Sequence, residues 1–261
     1  MITKIPFLRN KKIGLALGGG ATLGMCHVGV LQAIDELKIP ISCISGTSAG
    51  ALVGVLYASG ITSSQLKRIA LSTHWGLFAK PSLPRRGIFS TEPMETFLKK
   101  YLDDPYIENL KIPFSAIAVD AVEGKEIIFH EGYIPTAIRA SCAIPGIFQP
   151  IEQGNMLLID GGIMDNVPVT PLKHLDAELI IAICITPGFS SWNPKTTPEL
   201  IMKSFLLAQH VNSKREMSHA DIIIDIDTKK ISPADFRESA ELIEIGYETA
   251  LKSLKDNSLI P

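Results

Sequence analysis

Short apolar runs alternate along this chain with stretches in which apolar positions recur every three or four residues, the alternation expected of βα units around a largely parallel sheet. The run over 12–17 predicts a buried strand, followed by a helix over 21–37 with Val28, Leu31, Ile34 and Leu37 on one face, and a second strand over 41–44. Residues 48–58 are almost wholly apolar, so that helix belongs deep in the domain rather than on its rim. A further helix is expected over 62–72, with Ser63 and Ser64 as N-cap candidates. Beyond it the pattern predicts a helix over 92–101 and strands over 114–122 and 126–130 joined by Glu123-Gly124-Lys125. A short helix over 135–141 is stopped by Pro145 and Gly146. Strands over 148–151 and 156–159 then flank Gln153-Gly154-Asn155 as a hairpin running into Asp160. A strand over 179–185, a helix over 197–219, a strand over 222–226 and an amphipathic helix over 235–255 complete the pattern.

Between 73 and 90 the periodicity dissolves. A connection this long has two readings: a lid that touches substrate, or a surface loop that Trp75 and Phe78 staple to the core. Arg85 and Arg86 read as a solvated turn. No linker, repeat or low-complexity tract interrupts the rest, so residues 1–261 read as one domain.

Composition narrows the function classes. The 25 Lys and Arg nearly balance 27 Asp and Glu, a net charge of −2, which argues against a nucleic-acid partner. With 46% hydrophobic and 20% charged residues the chain is globular, not disordered or coiled-coil. The cysteines, Cys26, Cys43, Cys142 and Cys184, form no CxxC pair and no metal-ligand spacing with histidine, so neither metal nor cofactor is implied and a reducing cytoplasm is the expected location. Lys4, Arg9, Lys11 and Lys12 precede an apolar stretch over 13–25 and superficially resemble a signal peptide. Gly18-Gly19-Gly20 interrupts that stretch with the worst ordinary helix former, and no apolar run reaches the roughly 18–20 residues of a membrane span. Membrane contact is therefore expected to be peripheral only.

Three segments carry candidate chemistry. Gly46-Thr47-Ser48-Ala49-Gly50 has the Gly-x-Ser-x-Gly form between a predicted strand and a predicted helix, where a nucleophile elbow belongs. Small neighbours permit the sharp turn, and the helix N-terminus favours developing negative charge. The bland alternative is an ordinary N-cap serine. Gly18-Gly19-Gly20-Ala21-Thr22-Leu23-Gly24 is a glycine-rich turn whose N–H groups suit an anion: a pyrophosphate, or the oxyanion of acyl transfer. The dinucleotide reading lacks an acidic residue at the end of the second strand, which is Ile44-Ser45-Gly46. In Asp160-Gly161-Gly162 an acid leaves an apolar strand; it makes either a simple turn or a base that activates the serine. None of the six histidines, His27, His74, His130, His174, His210 and His219, lies in a motif. A Ser–Asp–His order ending at His174, His210 or His219 stays open on chain order alone.

Taken together these segments resemble the patatin-like phospholipase family. The likeness rests on GGGATLGMCHVGVL (18–31), GTSAG (46–50), IRASCAIPGIFQPI (138–151) and DGGIMDNVPV (160–169), and it continues into a closing strand and helix over 220–251. The resemblance implies a three-layer α/β/α sandwich with a mostly parallel central sheet and a Ser48–Asp160 dyad without histidine. It also implies an oxyanion hole at Gly18, Gly19 and Gly20, with Gly161 and Gly162 supporting the dyad. The implied activity is hydrolysis of lipid acyl esters, of phospholipids or lysophospholipids, through an acyl-enzyme. One departure stands out: many relatives carry Arg or Lys where this chain has Leu23. The missing charge implies slower turnover or, as the alternative reading, a lipid-binding protein with little activity.

Overall fold

Five apolar segments pair in parallel, the connections between them being long enough to return the chain to the same end of the sheet. They are β1 (Ile13–Leu17), β2 (Ile41–Thr47), β5 (Phe114–Asp120), β10 (Leu179–Pro187) and β11 (Ile222–Thr228), ordered β11-β10-β1-β2-β5. Three antiparallel strands extend the sheet: β6 (Lys125–Phe129) and β9 (Met156–Asp160) pair with β5, and β8 (Ile151–Gln153) pairs with β9. The computed structural model describes residues 11–256 apart from 84, 191, 229 and 230, so the expectations for Lys4 and Arg9 lie outside the described residues.

The strand period of two sends alternate side chains to opposite faces. Ile13, Leu15 and Leu17 enter the larger core beneath α1 (Cys26–Glu36), α2 (Ala49–Ala58), α3 (Ser63–Leu71) and α8 (Ser239–Asp256). Ala16, Cys43, Ala182 and Cys184 face a second core formed with Val167 and Val169 of the segment leading into α6 (Thr170–His174), with Leu172 of that helix, and with Met217 at the end of α7 (Thr197–Met217). Helices on both faces make three layers. α4 (Glu92–Tyr101) and α5 (Ile134–Ser141) lie beside the β5 end of the sheet. Among the described residues no helix is long and apolar enough to cross a membrane.

The structure departs from the sequence reading in several places. The stretch over 73–90 contains β3 (Lys80–Pro81) and β4 (Gly87–Ser90), which form a separate sheet with β7 (Gly146–Phe148). The expected strand over 148–151 is therefore split between two sheets. Pro150 has no N–H to continue a ladder, so β7 ends before it and β8 begins after it. The expected helix over 21–37 opens as a 3-10 turn, Ala21–Met25, and becomes α-helical only at Cys26. The closing helix starts at Ser239 rather than at 235, and α6 was not foreseen.

Candidate active site

Sheet register brings the two candidate groups together. β2 and β9 use the same edge of β5, because Ile117 and Ala118 both carry β6 on the other edge. β2 runs up that edge and stops with Thr47 opposite Ile117; β9 runs down it and stops with Asp160 opposite Ala118. Their C-terminal ends meet head-on, so the residues 48 and 160 become neighbours although 112 positions apart in sequence. Side-chain bonds tie the two segments: the Thr47 hydroxyl donates to the Asp165 carbonyl at 2.9 Å, and the Ser45 hydroxyl to the Pro168 carbonyl.

Ser48 is at the turn from β2 into α2 with φ 53° and ψ −121°, a left-handed conformation that a serine holds only when its surroundings force it. Its N–H donates to the Ser141 hydroxyl at 2.8 Å. Gly50 is required by close approach: a Cβ there would lie 2.1 Å from the Leu17 carbonyl oxygen. Gly46 packs on the first turn of α2 and Ala49 opens that helix, so the whole pentapeptide is an elbow between strand and helix. Ser48 is 4% exposed.

Asp160 is 0% exposed. Its Oδ1 accepts the Gly162 N–H at 2.9 Å, while Oδ2 has no well-formed hydrogen bond among the described residues. Burial pushes its pKa up to about 7, opposed by the Gly162 N–H and by the Ser48 hydroxyl, its hydrogen-bonding neighbour. Gly161 lies against the backbone of β5 at Ile117. Burial likewise holds the Cys142 thiol, beside both groups, well above its ordinary pKa, so it stays neutral.

The glycine turn lies against the elbow, with Gly24 packed on Ala49. Its three leading amides differ. The Gly18 N–H donates to the Ile183 carbonyl at 3.0 Å, and the Gly19 N–H donates to both the carbonyl and Oδ1 of Asn166, at 3.2 and 3.1 Å. The Gly20 N–H has no partner among the described residues. Leu23 is fully buried in the main core and does not line the site. His27, also fully buried, donates from Nε2 to the Gly18 carbonyl at 2.7 Å, and burial lowers its pKa to about 4, so it props the turn as a neutral ring.

Among the described residues no histidine hydrogen-bonds to Ser48 or Asp160. His174 ends α6, His210 stacks edge-on against Phe189, and His219 is exposed beyond α7. A cavity of about 80 Å³ opens at Ser48, walled by apolar side chains that include Met25, Leu52, Trp75, Phe78, Phe148 and Phe236. The 73–90 stretch is stapled to the core, as one of its two readings had it, and it also walls this cavity. Phe78 is buried against Phe97 and Phe236, and the Trp75 indole N–H donates to the Ala234 carbonyl at 3.0 Å, yet both rings line the cavity. Sequence reasoning missed Ser141, Asn166 and Gln209, which surround the elbow and the glycine turn from distant segments.

A strained serine and a buried carboxylate thus stand at meeting strand ends, below an apolar cavity on a mixed α/β sheet. The model of the patatin-like phospholipase family matches residues 15–173, and the chain belongs to that family. An uncharacterised NTE-family protein of Mycobacterium tuberculosis is 36% identical over 185 residues, 67% of this chain and 49% of the relative. Lysophospholipase NTE1 of Saccharomyces cerevisiae is 26% identical over 97% of this chain and 17% of its own length. The chain therefore spans about half or less of these curated relatives. The fold is similar to that of VipD from Legionella pneumophila (TM-score 0.59, 14% identity, 94% of this chain and 66% of that one). It is also similar to ExoU in its complex with SpcU from Pseudomonas aeruginosa (TM-score 0.51, 16% identity, 94% and 51%).

Proposed function

We propose that the protein is a serine acyl hydrolase that cleaves lipid carboxylic esters, of phospholipid or lysophospholipid type, through Ser48 and Asp160. The observation that carries this reading is a strained serine hydroxyl beside a buried carboxylate whose second oxygen has no other partner. As carboxylate, Asp160 accepts the proton of Ser48 while Oγ attacks the ester carbonyl. The tetrahedral intermediate collapses, the alcohol leaves with that proton, and the acyl group stays on Ser48. Water, giving a proton to Asp160, then releases the fatty acid and restores the serine. Two backbone amides are available to the oxyanion: Gly20, whose N–H has no partner among the described residues, and Ala49, which follows the nucleophile at the N-terminus of α2. Gly18 and Gly19 support that turn through bonds to Ile183 and Asn166.

The apolar cavity and the family support an acyl-chain substrate, and the lysophospholipase name of the yeast relative supports the lipid class. The alternative of an inactive lipid binder rests on Leu23, which is packed in the main core and does not line the cavity at Ser48. The reading includes a cytoplasmic site of action with peripheral contact to a lipid surface, in keeping with four unpaired cysteines. The test is labelling with a fluorophosphonate together with a panel of lipid esters. Label is expected on Ser48, absent in Ser48→Ala and slowed in Asp160→Asn. Undiminished hydrolysis by Ser48→Ala would overturn the reading.

A further inference from the structure

The glycine turn and the Asp160 turn share an unexplained neighbour. Gln209, on α7, is 3% exposed, yet its side-chain amide has no hydrogen-bond partner among the described residues, and neither amide atom is sealed from solvent. Because both amide atoms still reach solvent, they can hold water in the free site and exchange it for a ligand oxygen. Its Nε2 is wedged between the two turns. It lies 3.1 Å from the point where a Cβ on Gly19 would sit and 1.9 Å from the corresponding point on Gly162. Ser48 Cβ lies 3.2 Å from that same point beside Gly19, so the amide and the serine flank one small space.

Gln209 is also held in register. The Gly19 N–H donates to Asn166 Oδ1, Asn166 Nδ2 donates to the Ser213 hydroxyl at 2.9 Å, and that hydroxyl donates to the Gln209 carbonyl at 2.8 Å. This buried chain ties α7 to the glycine turn and so holds position 209 beside that turn. Because Gly18 and Gly19 have committed their amides, the oxyanion site is short of donors on that side.

We infer that Gln209 Nε2 is a catalytic hydrogen-bond donor, completing with the Gly20 and Ala49 amides the site that holds the ester oxygen as it becomes an oxyanion. The inference rests on the acyl-hydrolase reading. An amide side chain suits the task because it is neutral and sheds little hydration when substrate enters. Removing one such donor lowers kcat by roughly 10²–10³.

The test compares wild type, Gln209→Met (similar in size, no polar atom) and Gln209→Glu (similar in shape, acceptor in place of donor), each with its melting temperature. Substrates are p-nitrophenyl esters, and the rate of fluorophosphonate labelling of Ser48 is followed separately. Gln209→Met is expected to fold, to lose about 10²-fold in kcat with KM within about threefold, and to label at least about tenfold slower; Gln209→Glu is expected to be slower still. Wild-type rates in either folded variant would overturn the inference. So would an undiminished first turnover followed by accumulation of acyl-Ser48, since that pattern belongs to a group that positions the second-step water. A wild-type protein that neither labels nor hydrolyses would overturn the acyl-hydrolase reading itself, and this inference with it.

Discussion

At the scale of single residues, the site depends on a carboxyl group kept where water cannot stabilise its charge. Asp160 titrates near pH 7 in the folded protein and near 3.9 in an unfolded chain. In the proposed mechanism Asp160 acts as a base only when ionised, so kcat/KM is expected to rise with pH through about 7 and to level off above 8. Stability moves the other way. Between about pH 4 and 7 the folded state holds a proton that the unfolded state has released, so stability falls as pH rises across that window and the full cost is felt above it. Asp160→Asn keeps an acceptor for the Gly162 N–H but removes the buried charge. It is expected to lower kcat by about 10²–10⁴ while raising Tm at pH 8 by roughly 5–10 °C, a gap that closes toward pH 4. Thermal unfolding of both proteins from pH 4 to 8 checks it; an equal gap at every pH would show that ionisation is not its source. The serine side has its own dependency. Ser141→Ala takes the acceptor from the buried Ser48 N–H and is expected to cost about 1–3 kcal/mol, read by chemical denaturation, with a loss of labelling rate as the elbow relaxes. Ser48 and Asp160 were legible because each is in a local motif. Ser141 was not, because serine in a short helix carries no signal until β2 arrives beside it.

At the scale of elements, what was legible followed burial. Strands covered on both faces, such as β1 and β10, are continuous apolar runs and were found almost to the residue. The small β3-β4-β7 sheet was hidden because its strands are short and β4 pairs with β7 across about 60 residues of chain, which no local period reveals. α7 shows the same limit in a helix. Both of its faces carry apolar residues, with Phe205 and Leu206 buried and Leu207 and Val211 exposed, so its pattern did not reveal which side faces the site or that Gln209 points there. Close helix contact is likewise invisible until the partner is known. α1 crosses α8 where Gly29 meets Gly246: a Cβ on Gly29 would lie 1.9 Å from the Ile243 carbonyl oxygen, and one on Gly246 2.1 Å from that of Cys26. These neighbours are backbone, which cannot step aside as a side-chain tip can. Gly29→Ala and Gly246→Ala are each expected to destabilise by about 3 kcal/mol or more, beyond the usual range for an added methyl group, although alanine is the better helix former. Urea unfolding of the two variants measures this, and a stabilised Gly29→Ala would refute the close crossing.

At the scale of the whole molecule, the cavity at Ser48 has no single owner. Its walls come from the glycine turn, α2, the 73–90 stretch, β7 and the segment after β11, so it forms only when the chain has folded. At about 80 Å³ it is well below the roughly 300–1,000 Å³ usual for ligand pockets, and a long acyl chain enters only if the wall opens. Trp75 is the wall residue best placed to limit it. The ring is 38% exposed, leans edge-on against Phe236 at 5.0 Å between ring centres, and is held by its bond to the Ala234 carbonyl. Trp75→Ala removes that barrier while leaving Phe78 and Phe236 to hold the 73–90 stretch in place. Each methylene of substrate that gains a buried surface adds about 0.8 kcal/mol to transition-state binding, so two extra buried methylenes are worth roughly tenfold in kcat/KM. The variant is therefore expected to raise the kcat/KM ratio of decanoyl to butyryl p-nitrophenyl ester by about tenfold or more, with short-ester turnover largely kept. A folded variant whose ratio stays at the wild-type value would mean that chain length is set elsewhere. Failure on both esters alike would mean that Trp75 supports the elbow rather than the acyl path.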